Sequence, residues 1–507
     1  MPSLLTRYAA QLVGVLSCFD RIVITGTIPG WCHAEGMVRY LTGQGIRIFD
    51  YAKQFAEPLR EEIRANAERL AAEHGLTIEF IRKLGAFRKE DRIQAILAER
   101  GHQPGLVHIF AAMETCPAFT PWHDKATGQN KLNYKTTKCL HYYFYFIDAE
   151  FGLCYLRVPT WAPFRLQFYC NGHAWLANQL RQEGIAFTPL DNTFLAIGDM
   201  ARAQELADAF PAARLHRALD AFAQRYCPVI TRVPDQYHWS LMQVEFATDL
   251  IFKRREDLQS LYEELVRLAI HLVKPEHIAM FLGKKLDGRT VADLGTEFHT
   301  RIQGTCLKHH LGWAAIKLYD KYGIVLRIET TINNVTELKH YRAVEHRDGA
   351  TEMKYAPMQK TIYSLPPLRE LLGAANQRYL EFLSDLDDPS EGQRQLPKLG
   401  TARQKDGRSW RGFNLFQPDE LQAVVALLRG EGCISGITNR MLRRVLPGKT
   451  GRQISYFLKR CRVFGLLKKC GKTYKYYLTR LGRRVLLAAR KLQEILIVPT
   501  LAGLQGA

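Results

Sequence analysis

The 507-residue sequence lacks any CxxC pair, and with it the spacing of a zinc ribbon. Its eleven cysteines are scattered, as at Cys18, Cys32, Cys116, Cys139 and Cys154. An odd count without a framework points to reduced thiols and a cytoplasmic setting. No stretch reaches the ~18 consecutive apolar residues of a membrane span, so no membrane partner is expected. The opening MPSLLTRYAAQLVGVLSCFDR is mildly apolar but runs into Asp20 and Arg21. It reads as a helix leading into a strand rather than as a secretion signal. Walker A, Rossmann glycine, HExxH and serine-elbow motifs are also missing, which argues against nucleotide hydrolysis, dinucleotide chemistry, zincin proteolysis and serine hydrolysis.

What the chain has in excess is positive charge: 70 Lys and Arg against 50 Asp and Glu, a formal net charge of +20. An imbalance of that size, concentrated near the C-terminus, suits a polyanionic partner such as nucleic acid. Hydrophobic residues make up 47%, enough for a folded chain, and the length favours two or three domains.

The expected fold class is a mixed α+β or α/β body with hairpin-containing sheets and helices, followed by a separate small domain. FDRIVITGTI (19–28), IRIFDYA (46–52), LTIEFI and GLVHIFAAME (105–114) read as strands, with helices over 34–45 and about Glu57 to His74. KCLHYYFYFIDAEFGLCYLRVP reads as a hairpin. Its run His141-Tyr142-Tyr143-Phe144-Tyr145-Phe146 is aromatic on both faces, which fits a buried central strand better than a base-stacking platform. Residues 200–285 read as mostly helical. The expected divisions are a mixed domain over 1–200, a helical and hairpin domain over 201–386, a polar linker over 387–412 and a C-terminal domain over 413–497.

That last segment is patterned as helix, helix, helix, basic hairpin, helix. PDELQAVVALLRG, TNRMLRRVL and GRQISYFLKRCRVFG are the helices, with Thr438 and Thr450 as caps and Gly465 as a stop. On the third helix Ile454, Phe457, Leu458 and Cys461 form the buried stripe. Arg452, Gln453, Tyr456, Lys459 and Arg460 face outward, and Lys468, Lys469, Lys472 and Lys475 ornament the hairpin. The pattern resembles the winged helix-turn-helix domain of MarR-like regulators and many mobile-element proteins. The resemblance implies that the third helix enters a DNA major groove, with Arg452, Gln453 and Tyr456 toward bases and the hairpin lysines on phosphates.

KLYDKYGIVLRIET (317–330) reads as a second hairpin. One face, Ile316, Leu318, Ile324, Leu326 and Ile328, is core; the other carries Lys317, Tyr319, Arg327, Glu329 and Thr331. A polar face of that kind is solvated, grips phosphate, or forms part of a catalytic site. The stretch loosely resembles the K-x-Y-D-K…R-x-E hairpin of rolling-circle replication initiators. That implies Glu329 as a ligand of Mg²⁺ or Mn²⁺, Lys317 and Arg327 on phosphate, and Tyr341 or Tyr363 as nucleophile. Adjacent His309 and His310 depart from the alternating histidine pair of relaxase-type nickases. Asp20, early in a first strand, occupies the position of an acidic metal ligand in RNase H-like transposases, and Asp148 is a further candidate carboxylate.

FDRIVITGT and the C-terminal pattern together resemble multicopy bacterial mobile-element proteins. The function expected is nucleic-acid binding of that type, joined to metal-dependent DNA strand cleavage as in transposases or replication initiators. The alternative is a non-catalytic DNA-binding regulator or an RNA-binding scaffold of a ribonucleoprotein. DNA is the expected partner, with a structured RNA as a second candidate and a homodimer as an allowed assembly.

Overall fold

Long β-branched and aromatic runs produce long strands here. The computed structural model describes residues 4–491 except 83–84, 86, 233–236, 284–293, 302–303, 347, 388–399, 406, 415–416, 430–431, 433–434 and 472. In chain order the first strands are β1 Leu12–Thr27, β2 Ile78–Ile81, β3 Gly105–Asp124, β4 Gln129–Asp148, β5 Gly152–Pro159 and β6 Leu166–Cys170. They are followed by β7 Phe187–Pro189, β8 Phe194–Ile197, β9 His238–Phe252, β10 Leu294–Arg301, β11 Gly304–Leu311, β12 Ala314–Lys321 and β13 Val325–Ile332. Eleven of these form one mostly antiparallel sheet in the order β10-β11-β12-β13-β9-β1-β6-β5-β4-β3-β2, so the body is mixed α/β. By proximity of Cα atoms the chain divides into one unit of Met1–Leu16, Ala247–Thr331 and Leu371–Ala507, and another of Ser17–Phe246 and Ile332–Glu370.

In the second of these units β3 and β4 pair from Gly105↔Ile147 out to Asp124↔Gln129, and β2 joins β3 in parallel. The principal helices, in chain order, are α1 Glu57–Glu73, α2 Lys89–Arg100, α3 Gly172–Gln182 and α4 Ala212–Tyr226, then α5 Arg255–Leu272 and α6 Leu365–Asp387. α2 covers one side of β3 and β4, packing Ile93 and Leu97 into a core with Phe110, Tyr143, Tyr145 and Ile147. On the opposite side Phe144 and Phe146 stack on Tyr226 of α4, with ring centroids 4.8 and 5.1 Å apart. Every residue from His141 to Phe146 is therefore buried. A strand covered on both faces needs apolar groups on both, and no base can reach these rings.

Two expectations fail for identifiable reasons. IRIFDYA is not a strand: Ile48–Asp50 and Tyr51–Ala56 are helical turns that run straight into α1. Tyr51 and Phe55, four apart, are both buried, Phe55 against Trp31 and Tyr51 against Phe119. The segment 238–252 is not helical: HWSLMQVEFATDLIF is β9, and α5 begins only at Arg255. Val244 to Phe252 are buried without interruption, as a central strand demands and an amphipathic helix does not.

In the first unit the 317–330 hairpin forms as expected. Tyr322 and Gly323 both take positive φ, 57° and 72°, as a tight two-residue turn requires, and Asp320 Oδ1 accepts from Gly323 N at 2.7 Å. The polar face is not solvated, however, for every residue of β13 is buried. Thr330 donates to Asn376 Oδ1 (2.6 Å) on α6, and Asn376 donates on to Thr248 (3.1 Å), so polar groups on this strand find partners inside the fold.

Residues 413–491 supply α7 Pro418–Leu427, α8 Asn439–Val445, α9 Gly451–Val463, a hairpin of Leu467–Lys469 with Tyr476–Leu478, and α10 Arg480–Lys491. Thr438 Oγ1 accepts from Met441 N and Thr450 Oγ1 from Gln453 N, which fixes where α8 and α9 start. The polar segment 388–399 and Lys472 lie outside the described residues.

Candidate metal centre and nucleic-acid interface

Asp20 is placed by the sequence around it. It sits on β1, and Asn171, Gly172 and His173 approach it at the start of α3. A side chain at Gly172 would meet Phe19 O at 2.2 Å, so only glycine lets the helix start so close to the strand. Asn171 caps α3 through its Oδ1, accepting from His173 N and Ala174 N, while its Nδ2 donates to Asp20 Oδ1 at 3.3 Å. Asn192 Nδ2 donates to the same oxygen at 2.5 Å, and His173 Nδ1 lies 3.1 Å away. Glu245 of β9 is 3.6 Å from Arg21 Nε. Glu329 of β13 accepts from Lys317 Nζ at 2.5 Å and from Tyr319 OH at 2.6 Å.

β13, β9 and β1 are consecutive in the sheet. A carboxylate oxygen of Asp20 and one of Glu245, both in the second unit, lie within 4.8 Å of each other, and both residues are buried. Buried like charges at such separations repel strongly and need compensation. Arg21, 3.6 Å from Glu245, contributes some of it. A hard divalent cation suits the all-oxygen donor set, since Mg²⁺ and Mn²⁺ favour carboxylates. The residues present therefore fit such an ion.

Of the expected metal ligands, Asp20 meets Glu245 within the second unit, whereas Glu329 belongs to the first unit, where Lys317 and Tyr319 hold it. Glu245 was not anticipated, because its segment reads as helical, whereas VEFATDLIF is a strand buried along its whole length. Asp148 stays apart from this group: its Oδ1 accepts from Glu150 N and Phe151 N, both at 2.9 Å, and it shapes the β4–β5 turn. Tyr341 is 65% exposed on a separate ribbon, paired in register with Tyr355. The Tyr363 hydroxyl is hydrogen-bonded to His216 Nδ1 at 3.0 Å. Arg327 does not grip phosphate. It is fully buried, and its Nε and Nη2 donate to the two oxygens of Asp249 at 2.6 and 2.7 Å. His309 is likewise structural, bridging Thr296 (2.9 Å) and Tyr379 (2.9 Å); burial first, then His310, pushes its pKa down to about 3.

The C-terminal residues separate in the same way. Arg452 and Lys459 of α9 are exposed, as are Lys468, Lys469 and Lys475 on the hairpin. Tyr456 is 48% exposed and stacks on Trp410 with rings 5.3 Å apart. Gln453 is partly occupied: its Oε1 accepts from Thr450 N at 2.7 Å, closing a capping box. Arg460 is not outward. It is buried, pairs with both oxygens of Glu420 at 2.7 and 3.0 Å, donates to the carbonyls of Arg411 and Gly412, and lies 3.8 Å over the Phe413 ring. The helical period and the charge both place Arg460 outward, and the ion pair with Glu420 overrides them.

A second polar network lies under β3–β5. Burial raises the Glu114 carboxyl, but the Tyr143 hydroxyl and the Arg157 guanidinium outweigh it and hold the pKa below the ordinary value. Arg157 Nε donates to Glu114 at 2.9 Å, and Lys89 Nζ sits 3.7 Å over the Tyr143 ring. Burial and then Arg157 push His141 down to about 4, so it is neutral at pH 7.

No helix among the described residues is long and apolar enough to cross a membrane. The chain matches no protein-family model, no curated protein and no solved structure.

Proposed function

We propose that the chain is a nucleic-acid-binding protein of the mobile-element type, which reads duplex DNA through residues 413–491 acting as a winged helix. The observation that carries this reading is the pairing of a threonine-capped helix, α9, whose first turns expose Arg452 and Tyr456, with a hairpin exposing Lys468, Lys469 and Lys475. Arginine near the start of such a helix reaches base edges, whereas lysines on the wing meet phosphate and carry no sequence information. Arg452→Ala is expected to lose about 1–3 kcal/mol of discrimination between a selected and a scrambled duplex. Competition binding after selection from a random library measures this. Equal loss on both duplexes would remove Arg452 from base reading.

A second reading is favoured by the acidic group: metal-dependent cleavage of a nucleic-acid strand. Asp20 and Glu245 would hold a divalent cation, and such an ion, when bound, activates water and stabilises a leaving oxygen. Beside it His173 and Asn192 orient Asp20. Supercoiled plasmid incubated with the full chain and Mn²⁺ should be nicked. Asp20→Asn or Glu245→Gln should cut the rate by at least about 100-fold, since even residues outside a ligand set cost 10- to 100-fold. Absence of nicking with both Mg²⁺ and Mn²⁺, or variants as active as the parent, would leave a non-catalytic regulator or RNA scaffold.

A further inference from the structure

Neither α9 nor the acidic group accounts for a cationic cavity in the body. It measures about 440 Å³, within the range that encloses a small organic ligand, and is lined by Arg60 and Arg64 of α1, Lys135 and Lys138 of β4, and Trp161. None of its lining residues is acidic. Arg60 and Arg64 share the exposed carboxylate of Glu61 at 2.9 and 3.3 Å. Lys135 and Lys138 are exposed and have no ion-pair partner among the described residues. Four cations thus meet one rim carboxylate.

Trp161 is held at this site by its neighbours. Ala162 and Phe164 are wholly buried and anchor the turn after β5, leaving the indole half-exposed with Arg60 6.0 Å from its centroid. The same indole also lines a second cavity of about 220 Å³, together with His141, Arg157, Arg165 and Gln167. The Nε of Arg165 is buried without a hydrogen-bond partner among the described residues. This cavity too is lined by no acidic residue. One aromatic ring therefore lines two hollows, the first with four cations and the second with Arg165 and with Arg157, which is paired to Glu114.

We infer that this is a binding track for single-stranded nucleic acid, with a base stacked on Trp161 and the flanking phosphates held by Lys135 and Lys138 on one side and Arg165 on the other. An unpaired base has a free π-face and can enter a hollow, whereas a base inside a duplex cannot. Alternating cations and aromatics are the sequence-tolerant means of holding such strands. A mononucleotide would fill one hollow; two hollows sharing one ring fit a ligand of at least two residues. The inference rests on the reading of the chain as a nucleic-acid-binding protein, but it places the single strand on the body rather than on residues 413–491.

The test is fluorescence anisotropy with the full chain in EDTA, using a labelled oligothymidylate of about 15 nucleotides and a labelled duplex in parallel. Trp161→Ala should weaken oligothymidylate binding by about 5- to 150-fold, leave duplex binding within about two-fold, and be largely rescued by Trp161→Phe. The double variant Lys135→Ala/Lys138→Ala, at exposed positions, should lower the salt slope on the oligothymidylate by about 1.4, and it decides the matter if Trp161→Ala does not fold. Equal losses on both ligands, no loss on the single strand, or binding of thymidine monophosphate as tight as the oligomer would overturn the proposal. Failure of the duplex alone would sink the winged-helix reading and leave this one standing.

Discussion

Arg327→Ala is expected to destabilise the protein by about 3–5 kcal/mol, because it strands the Asp249 carboxylate in the interior. Both residues are at most 1% exposed, and the guanidinium meets the carboxylate through two parallel hydrogen bonds of 2.6 and 2.7 Å. Losing one partner of such a pair costs far more than losing both. Arg327→Met/Asp249→Leu should therefore lie close to the parent, or up to about 4 kcal/mol above it. Urea denaturation of the two variants measures the difference. If Arg327→Ala left stability within about 0.5 kcal/mol of the parent, the pair would be no structural element, and a phosphate-gripping role for Arg327 would regain its standing.

Arg460→Ala is expected to have a comparable effect, about 3–5 kcal/mol, confined to the C-terminal residues. Its guanidinium ties α9 to Glu420 of α7 and to the carbonyls of Arg411 and Gly412, and it covers the Phe413 ring. Substitution leaves Glu420 buried without its bidentate partner and two carbonyls without a donor. Limited proteolysis should show accelerated cleavage after residue 400, and duplex affinity should fall as a consequence of unfolding. Arg452→Ala provides the contrast: Arg452 is exposed, so the variant should keep the parent's proteolytic pattern while losing sequence preference. An Arg460→Ala protein with unchanged proteolysis and weakened binding would mean that Arg460 touches the nucleic acid after all.

Local signals proved legible where one element carries its own evidence. The Asp320–Gly323 turn, the threonine caps at 438 and 450, the stop at Gly465 and the burial of Ile454, Leu458 and Cys461 on α9 all follow from residue chemistry within a few positions, while Phe457 of the same stripe is only half-buried. The two-sided burial of His141–Phe146 was legible too, since aromatic residues on both faces of a strand call for two covering layers. What could not be read locally was pairing. Arg327 and Arg460 look like surface cations until Asp249 and Glu420 are brought to them, 78 and 40 positions away in the chain.

The acidic group shows the same limit. Asp20 and Glu329 stood out as isolated carboxylates on strands, but Glu245 was hidden because VEFATDLIF resembles the first turns of the helix that follows it. Only the placing of β9 beside β1 in the sheet brings Glu245 to Asp20. The division of the chain into two units is likewise discontinuous, each assembled from segments far apart, and a search for boundaries along the sequence has no local signal for that.

The central claim, duplex recognition by residues 413–491, is tested most directly by the salt dependence of duplex affinity for the full chain. Lys468, Lys469 and Lys475 are exposed on the hairpin, and each phosphate neutralised contributes about 0.9 to the slope of log K against log salt. Lys468→Ala/Lys469→Ala/Lys475→Ala should flatten that slope by about 2.7 and weaken every duplex sequence by the same factor. A parent protein that binds no duplex at about 50 mM salt, or a triple variant with the parent's slope, would contradict the account.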